Sequence, residues 1–175
     1  MQVIGRLYER HAEAVRSYAL RRSTPEIADE VTAQVFLVAW RRHSAVPQDA
    51  LPWLLGVARR VLADQRRAAA RRNRLGERLQ STAVEQPAEV TTQDRGLAAA
   101  LGRLSAGDRE LLLLRYWEEL EPEQIARAMG CSRTAAAVRL HRARRRLARE
   151  LNQDGAQHVQ GEQQRPACVE RTETP

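Results

Sequence analysis

The sequence predicts an all-α protein: two small helical domains joined by a flexible linker, the C-terminal one carrying a helix-turn-helix. Three observations support this. Apolar residues recur at spacings of three and four, and no stretch alternates as a strand would. Residues 77–94 lack periodicity and are rich in Ser, Thr, Gln, Pro and acids, a linker composition. The stretch Leu120–Arg149 reads as a short helix, a glycine turn and a long helix full of arginine. The expected units are therefore 1–76, a linker at 77–94, a second domain at 95–152 and a polar, disordered tail at 153–175.

The first helix spans Val3–Arg22, with Ile4, Leu7, His11, Val15 and Tyr18 near one face. Thr24, Pro25 and Glu26 start a second helix that runs through Arg42. Its centre, VFLVAW at 35–40, is apolar nearly all round, so burial on several sides is expected for Val31, Val35, Phe36, Val38 and Trp40. So much apolar surface on one helix of a small domain also leaves room for a partner. A third helix starts near Ala50, with Trp53, Leu54, Val57, Val61 and Leu62 on its apolar face. Its second half carries Arg59, Arg60, Arg66, Arg67, Arg71, Arg72 and Arg74 against the single acid Asp64, which suits pairing with a neighbouring Arg.

In the helix-turn-helix, Pro122 fits a first helical position, Gly130 a left-handed helix end and Ser132 an N-cap. The following helix has the apolar stripe Ala136, Leu140, Ala143, Leu147 and Leu151. From Arg133 to Arg149 there are seven arginines and no acid. A solvated structural face ordinarily mixes Glu with Arg for pairing one turn apart. One-sign charge on the outer face suits phosphate.

Net charge is +7, the isoelectric point is about 10.7, and all 29 basic residues are arginine. This balance favours a polyanionic partner, nucleic acid before an anionic membrane surface. Every cation is thus a planar fork fit for phosphate or guanine. No apolar run is long enough to span a membrane, and MQVIGRLYERH carries charge too early for a signal peptide. Cys131 and Cys168 lack metal-ligand spacing; Cys131 is expected to be a small packed residue and Cys168 a free thiol, in keeping with a cytoplasmic protein. Four scattered histidines (11, 43, 141 and 158) and no phosphate-cradling glycine loop point away from an enzyme and from any metal or cofactor.

The phrases LYERHAEAVRSYALRR, DEVTAQVFLVAWRR and PWLLGVARRVLADQRR, followed by LSAGDRELLLLRYWEELEPEQIARAMGCSRTAAAVRLHRARRRL, resemble the extracytoplasmic-function (ECF) sigma factors of the bacterial sigma-70 family. The similarity covers most of residues 3–151 and is specific in the order and spacing of its parts. It implies a chain that recruits core RNA polymerase to promoter DNA and helps melt it, often under control of an anti-sigma factor, with no membrane insertion. It further implies that Asp29, Glu30, Ala33 and Gln34 dock the polymerase. The family often has Gln then Glu where this chain has Ala33 then Gln34, which implies altered affinity.

For the −35 element the resemblance assigns Arg133, Thr134, Ala137 and Arg139 to base edges, and Ser132 and Arg142 to phosphate. Ala135–Ala137 offers no side-chain hydrogen bonds, so direct readout falls to few residues. For the −10 element it assigns the loop His43–Ala50, where Gln48 or Asp49 would meet an extruded base, with Arg59, Arg60, Arg66 and Arg67 on the backbone. A stand-alone helix-turn-helix regulator is the alternative. It would need a ligand pocket or dimer interface in the first block, in place of VFLVAW and a second Arg-rich helix. A third reading is a sigma-like module that has lost activity and acts by binding an inhibitor; Ala33 and Gln34 are its motive.

Overall fold

The computed structural model describes residues 2–75 and 92–162, with side chains placed over 4–72 and 96–153. The expected linker therefore lies largely outside the described residues, as do Cys168 and the end of the tail. The N-terminal block holds α1 (Gln2–Leu20), α2 (Pro25–Arg41), a single 3-10 turn at His43–Ala45 and α3 (Leu51–Leu75). The C-terminal block holds α4 (Thr92–Arg103), α5 (Ala106–Tyr116), α6 (Pro122–Met129) and α7 (Arg133–Glu162). No strand occurs among the described residues.

The helix ends follow local chemistry. A residue before proline disfavours the helical region, so Thr24 stands extended at ψ 162 and separates α1 from α2, with Pro25 opening the latter. The Ser105 hydroxyl accepts from the Asp108 amide at 3.1 Å and caps α5. At α6 the Gln124 side chain accepts from the Glu121 amide at 2.9 Å, completing a capping box. Gly130 at φ 67 ends α6, and the Cys131 amide returns to the Ala126 carbonyl at 3.0 Å. The Ser132 hydroxyl then accepts from the Ala135 amide at 3.1 Å and starts α7.

Two boundaries differ from expectation. The helix α4 begins at Thr92, inside the stretch assigned to the linker. The helix α7 continues to Glu162, past the residue at which a disordered tail was expected to begin. No proline interrupts 152–162, and Gly155 costs about 1 kcal/mol relative to alanine, too little to stop a helix already nucleated upstream.

In the first block α1, α2 and α3 bury Val15, Tyr18, Ala19, Val31, Val35, Phe36, Leu54, Leu55, Ala58 and Leu62. In the second, Leu111, Leu112, Leu114, Ile125, Ala136, Leu140 and Ala143 form the centre. The α7 stripe is as expected through Ala143, while Leu147 is half-buried and Leu151 is exposed. Cys131 is half-buried and packs on this core. One expectation on α2 fails: Trp40 is 57% exposed, and Leu37 beside it 42%, because α1 and α3 cover only the opposite side.

The blocks pack on each other, and their buried side chains form one continuous apolar cluster. The contact is α3 against α6. It explains a run that a helix covered on one side only would not show: Pro52, Leu54, Leu55, Gly56, Val57 and Ala58 are all buried. Helices α1 and α2 take one side of α3, and α6 takes the other. The approach is close because Gly56 has no side chain; a Cβ there would stand 2.9 Å from the Ala128 carbonyl oxygen and 3.3 Å from its Cα.

Candidate nucleic-acid interface

The C-terminal site is the outer face of α7. With Ala136, Leu140 and Ala143 turned inward, the opposite direction at about 100° per residue is held by Thr134, Val138, His141, Arg142 and Arg145. Ala137 and Arg139 flank this line on either side, and Arg133 sits at the helix start. Ser132, Arg133, Thr134, Ala137, Arg139 and Arg142 are all exposed, so every residue assigned to the −35 contact from sequence reaches solvent. The Ser132 hydroxyl is committed as a helix cap, which leaves its proton free to donate outward.

Two residues on the outward line were passed over by the sequence reading. Val138 is 43% exposed, and His141 is exposed beside it. The signal was present: Val138 is a branched apolar residue amid arginines, one turn from Thr134 and outside the apolar stripe. A methyl-rich side chain at that place can touch a thymine methyl, which Ala137 is too short to do from the flank.

The arginines of α7 divide into two sets. Arg146 pairs with Asp108 of α5, and the Arg144 guanidinium lies 5.4 Å from the Tyr116 ring. These two tie α7 to its own block. Arg133, Arg139, Arg142, Arg145 and Arg149 meet no carboxylate among the described residues, and this set is what an incoming phosphate chain would neutralise.

The residues assigned to the −10 element are arranged differently. Gln48 is exposed. Asp49 is not free: it pairs with Arg127 of α6 at 3.2 Å and accepts from Gln124 at 3.1 Å. Arg59 donates to the Met129 carbonyl at the end of α6, at 3.4 Å. Arg60 donates to the Gly56 carbonyl of its own helix at 3.0 Å, and Arg66 to the Arg22 carbonyl at 3.0 Å. Arg67 pairs with Asp64 at 2.5 Å, the local role expected of that acid. The four arginines are thus brought along one helix, but Arg59 faces the other block.

Around this contact lies a buried charge cluster. Arg22, its side chain only 6% exposed, pairs with Glu110 at 2.9 Å and Glu118 at 3.3 Å. Its guanidinium lies 3.7 Å over the Tyr18 ring, and the Tyr18 hydroxyl donates to Glu110 at 2.6 Å. Burial, and then the Glu110 carboxylate, push the Tyr18 hydroxyl far above its ordinary range, so it acts only as a neutral donor. Burial alone would lower the Arg22 pKa, but Glu110 and its neighbours more than offset this, and the guanidinium stays charged. Arg21 adds an ion pair to Glu118 at 2.5 Å.

On α2, Asp29 pairs with Arg16 at 2.6 Å, and Glu30 accepts from the Gln34 amide at 2.9 Å. Ala33 is exposed, and Leu37 and Trp40 continue the face of Glu30 and Ala33 toward the helix end. The pairing of polar residues with an exposed Leu and Trp resembles the core of a protein interface more than a solvated surface. Among the described residues no helix is long and apolar enough to cross a membrane, and no group of three or more potential metal ligands comes together.

Comparison with known proteins agrees with this geometry. Residues 94–147 match the family model described as Sigma-70, region 4. The chain is 36% identical over 157 residues to ECF RNA polymerase sigma factor SigL of Mycobacterium tuberculosis, covering 85% of this chain and 89% of that protein. It is 31% identical over 160 residues to ECF RNA polymerase sigma factor BldN of Streptomyces coelicolor, covering 86% of this chain and 61% of that one. Among solved structures, the fold is similar to the sigma factor RpoE in complex with the anti-sigma factor NepR from Bartonella quintana. That likeness has a TM-score of 0.65 at 22% identity and covers 87% of this chain and 98% of the other. CnrH, solved in complex with the cytosolic domain of CnrY, is similar with a TM-score of 0.57 at 24% identity, covering 87% and 90%. With a helix-turn-helix that presents an unpaired arginine face, a helical N-terminal block that matches in sequence, and identity above 30% across most of both chains, the protein belongs to the ECF RNA polymerase sigma factors.

Proposed function

We propose that this chain works in the cytoplasm as a promoter-specificity subunit of RNA polymerase. The α2 face of Asp29, Glu30, Ala33 and Gln34, extended by Leu37 and Trp40, docks core polymerase. The outer face of α7 binds the −35 element. Arg133 and Arg139 reach base edges from the start and flank of the helix, Val138 and His141 lie along its centre, and Arg142 and Ser132 hold phosphate. The loop before α3, with Gln48 and Asp49, and the arginines Arg59, Arg60, Arg66 and Arg67 serve the −10 element. The division of labour follows as a domain 1–76 for polymerase and −10 DNA and a domain 95–152 for −35 DNA.

The observation that carries the reading is the outer face of α7, where five arginines have no acidic partner among the described residues. One-sign charge of this kind attracts a polyanion and steers its approach. Control by an anti-sigma factor is supported by the similar folds of RpoE and CnrH, solved in complex with NepR and with the cytosolic domain of CnrY. Run-off transcription with purified core polymerase, this chain and a genomic fragment library tests the whole reading. Specific initiation is expected; a chain that neither forms a polymerase complex nor directs any initiation would overturn it.

A further inference from the structure

We propose that Asp108 sets the reach of α7 along DNA by withholding Arg146 from phosphate. The inference rests on the −35 reading of α7 given above. Seven arginines lie between Arg133 and Arg149, both included. Among the described residues, Arg146 is the one of the seven that pairs with a carboxylate, that of Asp108 in the first turn of α5. On the opposite flank of the helix the Arg144 guanidinium lies against the Tyr116 ring, a contact that places the charge without neutralising it. The fold therefore removes a single cation from an otherwise open arginine surface.

The position of Arg146 gives this pairing its meaning. A helix with its side chains is about 10–12 Å across, and the major groove is about 12 Å wide. A helix lying in that groove turns its flanks toward the phosphate chains that wall it. Arg139, Arg142 and Arg146 run up one flank of α7 at spacings of three and four, so Arg146 continues the line one turn beyond Arg142. Left free, it would add one phosphate contact to that of Arg142. The Asp108 carboxylate takes this place out of the line.

The pair is asymmetric, and the asymmetry keeps Arg146 in place. The Asp108 side chain is 12% exposed and that of Arg146 54%. Asp108 stands where the dipole of α5 favours an anion, and its amide is held by the Ser105 hydroxyl. Pulling Arg146 away would strand a largely buried carboxylate, and an uncompensated buried charge is costly. A phosphate at the surface offers only the small gain of an exposed ion pair. The acid is thus fixed by the fold, and the arginine is the group that DNA would otherwise recruit. Phosphate contacts strengthen binding to every sequence alike, so withholding one lowers non-specific occupancy and leaves base readout untouched. Asp108 acts through Arg146 and touches no DNA itself.

The test uses the full chain assembled with core polymerase. Two labelled duplexes, a promoter fragment recovered by run-off transcription and a scrambled version of it, are titrated over a range of salt. Core polymerase makes phosphate contacts of its own, but these are common to every variant and cancel in the comparison. Asp108→Asn keeps the shape of the side chain and removes its charge. It should steepen the slope of log affinity against log salt by about 0.9 and tighten binding about fivefold at roughly 0.1 M salt, on both duplexes alike. Arg146→Gln should leave the slope as in the wild type, and adding it to Asp108→Asn should abolish the gain. An unchanged slope for an Asp108→Asn chain whose helicity by circular dichroism is intact overturns the proposal. So does a gain that survives in the double variant. If Asp108→Asn fails to fold, Arg146→Gln decides alone: an unchanged slope supports the proposal, and one shallower by about 0.9 shows Arg146 already on phosphate and refutes it. A wild-type chain that gives polymerase no preference for any fragment removes the −35 reading itself, and the inference falls with it.

Discussion

Replacing Gly56 with alanine tests the packing of α3 on α6 through the sign of its effect. Glycine inside a helix is worse than alanine by about 1 kcal/mol, so on an uncovered helix face Gly56→Ala stabilises by up to that amount. With α6 packed on α3 the new methyl meets the Ala128 carbonyl oxygen at 2.9 Å and its Cα at 3.3 Å. Both atoms are backbone, so no rotamer change relieves the contact. Forcing a methyl into a filled contact costs about 1–3 kcal/mol. The net expectation is therefore from no change to a loss of roughly 2 kcal/mol. The loss has a ceiling, because the blocks can part and escape the clash by giving up their docking energy. Urea unfolding of the full chain, followed by circular dichroism, measures it. A stabilisation near 1 kcal/mol, with an unchanged denaturant slope, means that Gly56 faces open solvent and that α6 does not cover it.

Other perturbations give sharp outcomes. Arg139→Ala should weaken binding to a −35 duplex while leaving core polymerase affinity intact, and Gln34→Ala should do the reverse; equal losses in both gel-shift and polymerase pull-down assays would show misfolding. Glu119 holds a left-handed backbone at φ 54 between α5 and α6, so Glu119→Gly should raise stability by about 0.5–1 kcal/mol in thermal unfolding. A loss there would mean that its side chain contributes more than its strained backbone costs. His11 is held below its ordinary 6.5, first by burial, then by Arg10, with Asp49 opposing. The unfolded chain then binds a proton that the folded chain refuses, so stability falls as pH drops below about 6.5. His11→Gln should flatten that slope; an unaltered pH profile would assign the acid sensitivity to other groups.

Much of the fold was legible in the sequence because its signals are local. Pro25, Gly130 and Ser132 act on their own and adjacent turns, and each does in the structure what its chemistry dictates. The stripe Ala136, Leu140, Ala143 is set by helical periodicity alone, and it orients the whole arginine face of α7. Trp40 shows the limit. An apolar run such as VFLVAW says that a helix is covered, but not by what, and here α2 keeps Leu37 and Trp40 in solvent. Val138 is the converse case: an apolar residue next to a core stripe in sequence, its angle on the helix puts it on the outer line.

By itself the sequence determined five of the seven helices found among the described residues, the helix-turn-helix and the family to which the chain belongs. Tertiary structure alone decided which of the candidate residues are free. Asp49 and Arg59 look as available in the sequence as Arg139, yet both are held by α6. Arg22, Glu110 and Glu118 carry no motif and still form a buried charge cluster, across separations of 88 and 96 residues. The reason is physical. Caps and periodicity depend on neighbours within a turn or two, whereas a docked surface depends on the shape and charge of segments far apart in the chain. The missing side chain of Gly56 acquires its meaning only when Ala128 arrives against it.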